Sequence, residues 1–291
     1  MNNINYQTLE TKRKEILKQN KKGFVKGAFY GGIILIVGGI LSALLGFIGI
    51  VIIVIGLFVF FIVWILQNLK INKKIRAQLY SELTKTINPE FEYSFGEKQL
   101  IWEMSNSGFV PKSSNKFVDD AFKIKIAENE AIFGEITVKH IQGNDYLHDF
   151  IGVFGFMKLR KNYSFTVIYP HDERKEALRI NFLEKNADKS KLNKQKMSLN
   201  SEFDKIYSVW TNNPGEAEKI LNENLVKLLT EKSANQKLFV AFRDQKMYLG
   251  IDAFQPFKLN INKPITEKSA KDFYLNFKKV TDLFSRIYNS L

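Results

Sequence analysis

The chain has 291 residues, no cysteine and a formal net charge of +13. The absence of cysteine excludes disulfide bonds, thiolate metal sites and cysteine nucleophiles. Residues 1–26 carry a net charge of +5 and residues 70–89 carry +4, whereas residues 90–291 together carry only +4, which argues against nucleic acid as a partner.

The first predicted element is a basic amphipathic leader helix over residues 1–23. Its apolar strip is narrow and consists of Leu9, Ile16 and Leu17. The leader could pack on the helix that follows the apolar stretch or lie along lipid headgroups. We expect contact with headgroups, because both helices are basic and repel each other.

An uncharged stretch of 43 residues, Gly27–Leu69, follows the leader. As one helix it would extend about 65 Å, which is roughly twice the thickness of a membrane hydrocarbon core. The sequence therefore predicts a two-helix transmembrane hairpin over residues 24–69. Its helices are expected at about 24–43 and 48–68, with the turn between Ser42 and Gly49.

Small residues recur every four positions along the first predicted span, a spacing that lets transmembrane helices approach closely. This spacing is compatible with packing inside the hairpin and with packing against another chain. The stretch Gly27–Leu69 holds no charged side chain at membrane depth, so conduction by this chain alone is not predicted. The candidate packing residues are Gly23, Gly27, Gly31, Gly38, Ser42 and Gly46.

Basic residues flank both ends of the predicted hairpin. By the positive-inside rule, this pattern predicts a multi-pass protein of the cell membrane with both termini in the cytoplasm. The same side chains could enforce this topology alone or also bind the anionic headgroups of the bilayer. The candidate headgroup contacts are Lys18, Lys21, Lys22, Lys26, Lys70, Lys73, Lys74 and Arg76.

A stalk helix over residues 70–88 continues the second span, because apolar residues recur at every fourth position from Ile71 to Ile87. Pro89 ends it.

Residues 89–291 are predicted to form a cytosolic α+β domain with mainly antiparallel strands. Strands are expected at 131–140, 163–169 and 176–184, a hairpin at 237–253 that turns at Arg243–Lys246, and helices at 213–232 and about 267–290.

Residues 186–200 are polar, rich in lysine and without periodicity. They predict a mobile loop that is either simply solvated or binds a partner.

Little in the sequence points to chemistry. The three histidines lack metal-ligand spacing, and nucleotide-binding or hydrolase motifs are missing, so neither a metal nor a cofactor is predicted. One cluster joins an imidazole to two carboxylates and is the candidate for acid–base catalysis. It consists of Asp145, His148 and Asp149.

A set of short motifs between residues 108 and 217 resembles an uncharacterised bacterial membrane-protein family, a domain of unknown function of the DUF3137 type. The resemblance implies two N-terminal transmembrane helices and a cytosolic α+β part, and it supplies no catalytic residue. The motifs are 108–111 (GFVP), 119–120 (DD), 133–135 (FGE), 150–154 (FIGVF), 161–162 (KN), 169–170 (YP), 203–209 (FDKIYSV) and 216–217 (EA).

Three hypotheses on function remain open at this point. The first is a non-enzymatic, membrane-anchored scaffold or adaptor whose cytosolic domain binds another membrane or cytosolic protein. The second is an enzyme that acts on a lipid or envelope precursor at the inner membrane face. The third is an accessory subunit of a transport or secretion complex, docked through the small residues of the first span.

Overall fold

The computed structural model describes residues 6–87, 90–110, 114–142, 145–171, 195–233, 236–257 and 263–291. The predicted strand at 176–184 and residues 186–194 of the predicted loop lie outside these ranges. The chain divides into a helical unit, residues 1–86 with 260–270, and a sheet unit, residues 87–259 with 271–291.

The helical unit contains two long helices, α1 (Tyr6–Leu45) and α2 (Phe47–Ile87). Gly46 joins them with a φ of +56°, a conformation that glycine adopts without steric cost. The predicted turn therefore lies where the sequence placed it. The leader is not a separate helix as predicted, because no proline interrupts the chain between Tyr6 and Leu45 and the helix continues through it.

Within the described residues of α1 and α2, no stretch of helix is both long enough and apolar enough to cross a membrane. The structure thus supports a two-helix hairpin and the position of its turn, but not its placement across a bilayer. The stalk does continue α2 without a break, ending at Ile87.

The described part of the sheet unit contains seven strands in one antiparallel sheet, which confirms the predicted mixed α+β class. The hydrogen-bonded order is β1-β2-β3-β4-β6-β5, and β7 pairs with β4. The strands are β1 (Glu92–Phe95), β2 (Asn115–Ile126), β3 (Asn129–Gln142), β4 (Asp145–Pro170), β5 (Gln195–Met197), β6 (Tyr207–Thr211) and β7 (Leu238–Asp252).

Strand β7 corrects the prediction of a hairpin at 237–253. Both of its halves pair with β4, so the chain does not reverse at Arg243–Lys246. Asp244 adopts a φ of +53° at this point. Residues 159–162 of β4 stand opposite the single residue Gln245, so the extra residues form a bulge in β4 and the polar segment stays part of one long strand.

Strand β4 passes very close to its neighbours at two glycines. A Cβ added at Gly152 would lie 2.0 Å from the Ile251 carbonyl oxygen, and one added at Gly155 would lie 2.4 Å from Phe133 Cβ. Glycine is required at both positions because no side chain fits between these strands.

Helices cover both faces of the sheet. On one face, Leu100 and Met104 of α3 (Lys98–Asn106) pack in a buried core with β2, β3, β4 and β7. On the other, α7 (Glu267–Asn289) buries an aromatic face against Phe122 and Phe133. This burial joins the last helix, which the sequence placed at about 267–290, to the core of the sheet unit. Its buried residues include Phe273, Phe277, Val280, Phe284 and Ile287.

The predicted helix at 213–232 is divided into α5 (Pro214–Ile220) and α6 (Glu223–Ser233), and the short α4 (Ser201–Ile206) precedes them. Asn213 caps α5, its side chain accepting a hydrogen bond from the Glu216 amide. Asn222 accepts one from the Leu225 amide and so starts a second helix. The break follows from this second cap.

Candidate functional site

Asp149 is the centre of a polar cluster near the start of β4. Its carboxylate accepts a hydrogen bond of 2.8 Å from the Ser114 hydroxyl and lies 2.6 Å from Nδ1 of His140. The pairing of β3 with β4 shifts register at this point, so that Asp149 is an extra residue between the His148 and Phe150 positions. This bulge explains how the carboxylate reaches the side chain of His140.

Of the predicted cluster of Asp145, His148 and Asp149, Asp149 makes these contacts and His148 does not take part in them. His148 is exposed and pairs with Lys139 on β3, and the side chain of Asp145 lies outside the described part. The sequence reasoning missed His140 as the partner of Asp149. A hairpin register between β3 and β4 would have revealed the pair, because it places residues nine apart on facing strands.

Lys116 adds a cation to the cluster. Its ammonium donates to the Ser114 carbonyl oxygen at 2.9 Å. Burial lowers the pKa of Lys116, and the negative charge of Asp149 opposes this effect. Ser114, Lys116, His140 and Asp149 therefore join the beginning of β2, the end of β3 and the beginning of β4.

An open cleft of about 350 Å³ lies beside Asp149. Asp252, which also lines it, accepts a hydrogen bond from the Ile151 amide at 3.3 Å. In a serine-type triad the imidazole stands between the hydroxyl and the carboxylate. Here the carboxylate stands between the other two groups, so the cluster does not have the order of a serine-type triad. The remaining lining residues are His148, Phe150, Ile151, Ala253 and Gln255.

Glu103 of α3 is a buried carboxylate that the sequence did not reveal. It is 1% exposed and accepts hydrogen bonds from the Lys246 ammonium at 2.6 Å and from the Tyr248 hydroxyl at 2.9 Å. Burial, reinforced by the charge of Glu103, raises the pKa of Tyr248. Lys246 also lies 5.2 Å from the ring centre of Trp102, whose side chain is 61% exposed.

The other buried carboxylates also serve the fold. Asp120 accepts a hydrogen bond from the Tyr93 hydroxyl, and Glu135 accepts one from the Phe257 amide at 2.6 Å. Over the described ranges, no three or more histidine, aspartate and glutamate side chains are close enough to hold a metal ion.

Two of the predicted packing glycines lie against α2. A Cβ at Gly31 would approach the Phe60 ring to 2.8 Å, and one at Gly38 would approach Ile53 Cγ1 to 2.6 Å. These contacts are made inside the hairpin, and Gly46 forms its turn. The surroundings of Gly23, Gly27 and Ser42 lie outside what the structure describes.

Of the predicted headgroup contacts, Lys18, Lys21 and Lys73 are exposed and Arg76 is half-buried. The side chains of Lys22, Lys26, Lys70 and Lys74 are outside the described part.

Elsewhere in the helical unit, Lys12 of the leader forms an ion pair of 2.7 Å with Glu82 of the stalk. The leader therefore packs on the stalk, which corrects the expectation that repulsion keeps the two apart.

The middle portions of α1 and α2 expose large apolar side chains to their surroundings. Phe29 and Phe58 are exposed to about two-thirds of their surface, at 66% and 67%. We call this set the apolar belt. It comprises Phe29, Tyr30, Ile33, Ile34, Ile36, Val37, Ile40, Leu44, Phe47, Ile50, Val51, Val54, Ile55, Phe58, Val59, Phe61, Ile62, Trp64, Ile65 and Leu66.

Part of the chain matches one known protein family. The sequence model of a family described as "Protein of unknown function (DUF3137)" matches residues 148–290. The match supports the resemblance to this family over β4 to α7. No curated protein matches the chain. The crystal structure of the mycobacterial trehalose monomycolate transport factor A, TtfA, is similar with 9% identity and a TM-score of 0.36, over 69% of this chain and 88% of that one. A likeness of that level supports no conclusion about function.

Proposed function

We propose that the chain is a membrane-anchored adaptor. In this proposal α1 and α2 cross the cell membrane as a hairpin, and the sheet unit lies on the cytoplasmic side, where it binds another protein and does not act as an enzyme. The observation that carries the proposal is the apolar belt, which occupies the same residues as the uncharged stretch of the sequence.

The apolar belt favours a lipid environment for energetic reasons. Soluble proteins rarely expose contiguous apolar patches of more than a few hundred Å². Side chains such as Phe29 and Phe58 would remain in contact with water unless lipid or protein covered them. Lipid chains cover such a surface without the need for a specific partner.

The lengths of the helices fit the same environment. Between Lys26 and Gly46, and between Gly46 and Lys70, helices of about 30 Å and 36 Å would extend, compared with a hydrocarbon core of about 30 Å. Tyr30 and Trp64 lie near the basic ends of these segments, and both are exposed. Aromatic residues of this kind are enriched where a helix leaves the bilayer.

The orientation rests on the basic residues that flank both ends of the hairpin. The positive-inside rule places both flanks, and hence both termini, in the cytoplasm. Exposed lysines such as Lys18, Lys21 and Lys73 are available to anionic headgroups, each contributing about 1 kcal/mol near the surface. Equal partition of the chain into neutral and anionic liposomes would show that these lysines set topology alone.

An adaptor is favoured over an enzyme because the two charged clusters described in the sheet unit hold strands and helices together. Asp149 bridges Ser114 and His140, and Glu103 is buried with Lys246 and Tyr248. Trp102, in contrast, presents a large aromatic surface, of the kind that dominates binding energy in protein interfaces.

Photo-crosslinking in native membranes tests the adaptor role. A photoreactive phenylalanine analogue would replace one exposed apolar residue at a time in the full chain, with the buried Phe257 as the matched control position. We expect a discrete protein adduct from an exposed position and none from Phe257. Absence of adducts from all exposed positions would contradict the proposal. These positions are Trp102, Phe117, Ile141 and Leu275.

A further inference from the structure

We infer that Glu10 and Arg13 form a clasp that holds residues 263–266 on the leader part of α1 and so couples the helical hairpin to the last helix. The clasp itself does not depend on the function proposed above. Its use, to pass a change in the hairpin to the sheet unit, does rest on that function.

The geometry of the clasp involves one carboxylate with two hydrogen-bond partners, and the Lys14 ammonium lies 3.9 Å from the same carboxylate. Arg13 donates from Nε to Glu10 Oε2 at 2.7 Å and from Nη2 to Oε1 at 2.6 Å. The Ile265 amide donates to Glu10 Oε2, also at 2.7 Å. A two-pronged guanidinium–carboxylate contact fixes the carboxylate in orientation, which in turn fixes the position of the Ile265 amide.

The surroundings show that the clasp is built into packed structure. Leu9 is 1% exposed and Ile265 is 5% exposed, and Arg13 is also buried. Such shielding strengthens a charged hydrogen bond compared with one in water. The lysines at positions 14 and 18 on the same helix are exposed, so burial is confined to the face that carries the clasp.

The clasp persists over the whole physiological pH range. The hydrogen bond from Arg13, helped by the one from Ile265, lowers the pKa of Glu10 from 4.5 to about 2. Glu10 therefore stays ionised near neutral pH. A change in the leader, rather than a change in pH, would have to open the clasp.

Residues 263–266 lead directly into α7. Thr266 and Ser269 cap its first turn with reciprocal bonds, in which the Ser269 amide donates to Thr266 Oγ1 and the Thr266 amide donates to Ser269 Oγ. The helix start is thus complete without the clasp. What the clasp adds is a fixed position for the residue immediately before the cap, Ile265.

The path of the chain gives the clasp its consequence. The described residues 263–270 belong to the helical unit, whereas α7 continues into the sheet unit from Lys271. If the hairpin only anchored the sheet unit, the single passage of the chain between the two units after Thr86 would be sufficient. Further along α7, Phe273 and Phe277 belong to the aromatic core of the sheet unit. A displacement of the leader would therefore be transmitted along one continuous helix.

Amide hydrogen exchange of the full chain in detergent micelles tests the clasp. In Glu10→Ala we expect residues 263–266 to exchange about tenfold faster or more, because a hydrogen bond to a charged group is lost. The matched control is Glu15→Ala, an exposed glutamate on the same helix, which should exchange like the wild type. Unchanged exchange in Glu10→Ala would overturn the clasp.

Two further measurements separate the parts of the inference. The exchanged variant Glu10→Arg with Arg13→Glu keeps an ion pair but moves the carboxylate by three residues, so the fast exchange should persist. Coupling requires that exchange also rises at residues 272–280 of α7 in Glu10→Ala, and a rise confined to 263–266 would overturn it. Sedimentation of the same variants with membranes reports on the anchor separately.

Discussion

Glu103 illustrates how a single residue stabilises the sheet unit. Glu103→Ala would leave the Lys246 ammonium and the Tyr248 hydroxyl without their buried acceptor. We expect the free energy of unfolding to fall by about 3 kcal/mol. Urea unfolding followed by near-ultraviolet circular dichroism measures it.

The control for this prediction is Glu128→Ala. Glu128 forms an exposed ion pair with Arg160, with 83% and 77% of the two side chains accessible. Exposed pairs contribute little, so this variant should unfold like the wild type. Equal losses in both variants would contradict the role given to Glu103.

The residue Glu10 predicts a dependence on acid. A carboxyl whose pKa is lowered in the folded state stabilises that state above the unfolded pKa, and the stabilisation is lost as the pH falls. For Glu10 this window extends from about 4.5 down to about 2. The difference in thermal unfolding midpoint between the wild type and Glu10→Gln should therefore shrink across this window. A difference that stays constant there would contradict the assignment.

The contacts of Asp149 with Ser114 and His140 are predicted to stabilise the folded chain. Asp149→Ala would leave Ser114 and His140 without their shared partner, and we expect a loss of about 1–3 kcal/mol in the free energy of unfolding. His148→Ala, at the exposed neighbour, should have no effect on stability. If instead the two variants were equally stable, the cluster would not hold the strands together.

At the scale of elements, the glycines of α1 predict how the hairpin closes. Gly38→Ala would bring a Cβ to 2.6 Å from Ile53, whereas a Cβ at the adjacent Gly39 would meet no atom within 4 Å. Gly38→Ala should therefore lower the thermal unfolding midpoint of the helical unit, and Gly39→Ala should not. A larger loss in Gly39→Ala would contradict the packing of α1 on α2.

The sequence was sufficient for elements with a strong period and a clear start or end. The turn at Gly46, the cap at Asn213 and the buried face of α7 were all predictable from local patterns. The continuity of β7 was not, because two alternating runs around a polar segment are equally typical of a hairpin and of one long strand that faces a bulge. Only the facing residues of β4 decide between them.

For candidate sites, local pattern was less informative than strand pairing. Asp149 was identified because charged residues cluster next to it in sequence. Its contact with His140 depends on register, and the burial of Glu103 depends on the packing of α3 on the sheet. Neither leaves a local mark, so both were missed.

At the scale of the whole molecule, the proposed membrane anchor depends on which residues face lipid. The family match covers residues 148–290 and therefore says nothing about α1 and α2. Anchoring is argued from the apolar belt and from the basic residues on either side of it. Under the proposed function, the two basic flanks lie on the cytoplasmic side of the membrane and the turn lies on the other side.

Cysteine labelling tests that assignment most directly, because the natural chain contains no cysteine. Single cysteines would be placed at Ala43, near the turn, and at the exposed Lys18 and Lys125. In intact bacterial cells, we predict that a membrane-impermeant maleimide labels Ala43→Cys and reaches Lys18→Cys and Lys125→Cys only after lysis. Labelling of Lys125→Cys in intact cells, or recovery of the chain in the soluble fraction, would contradict the anchored hairpin.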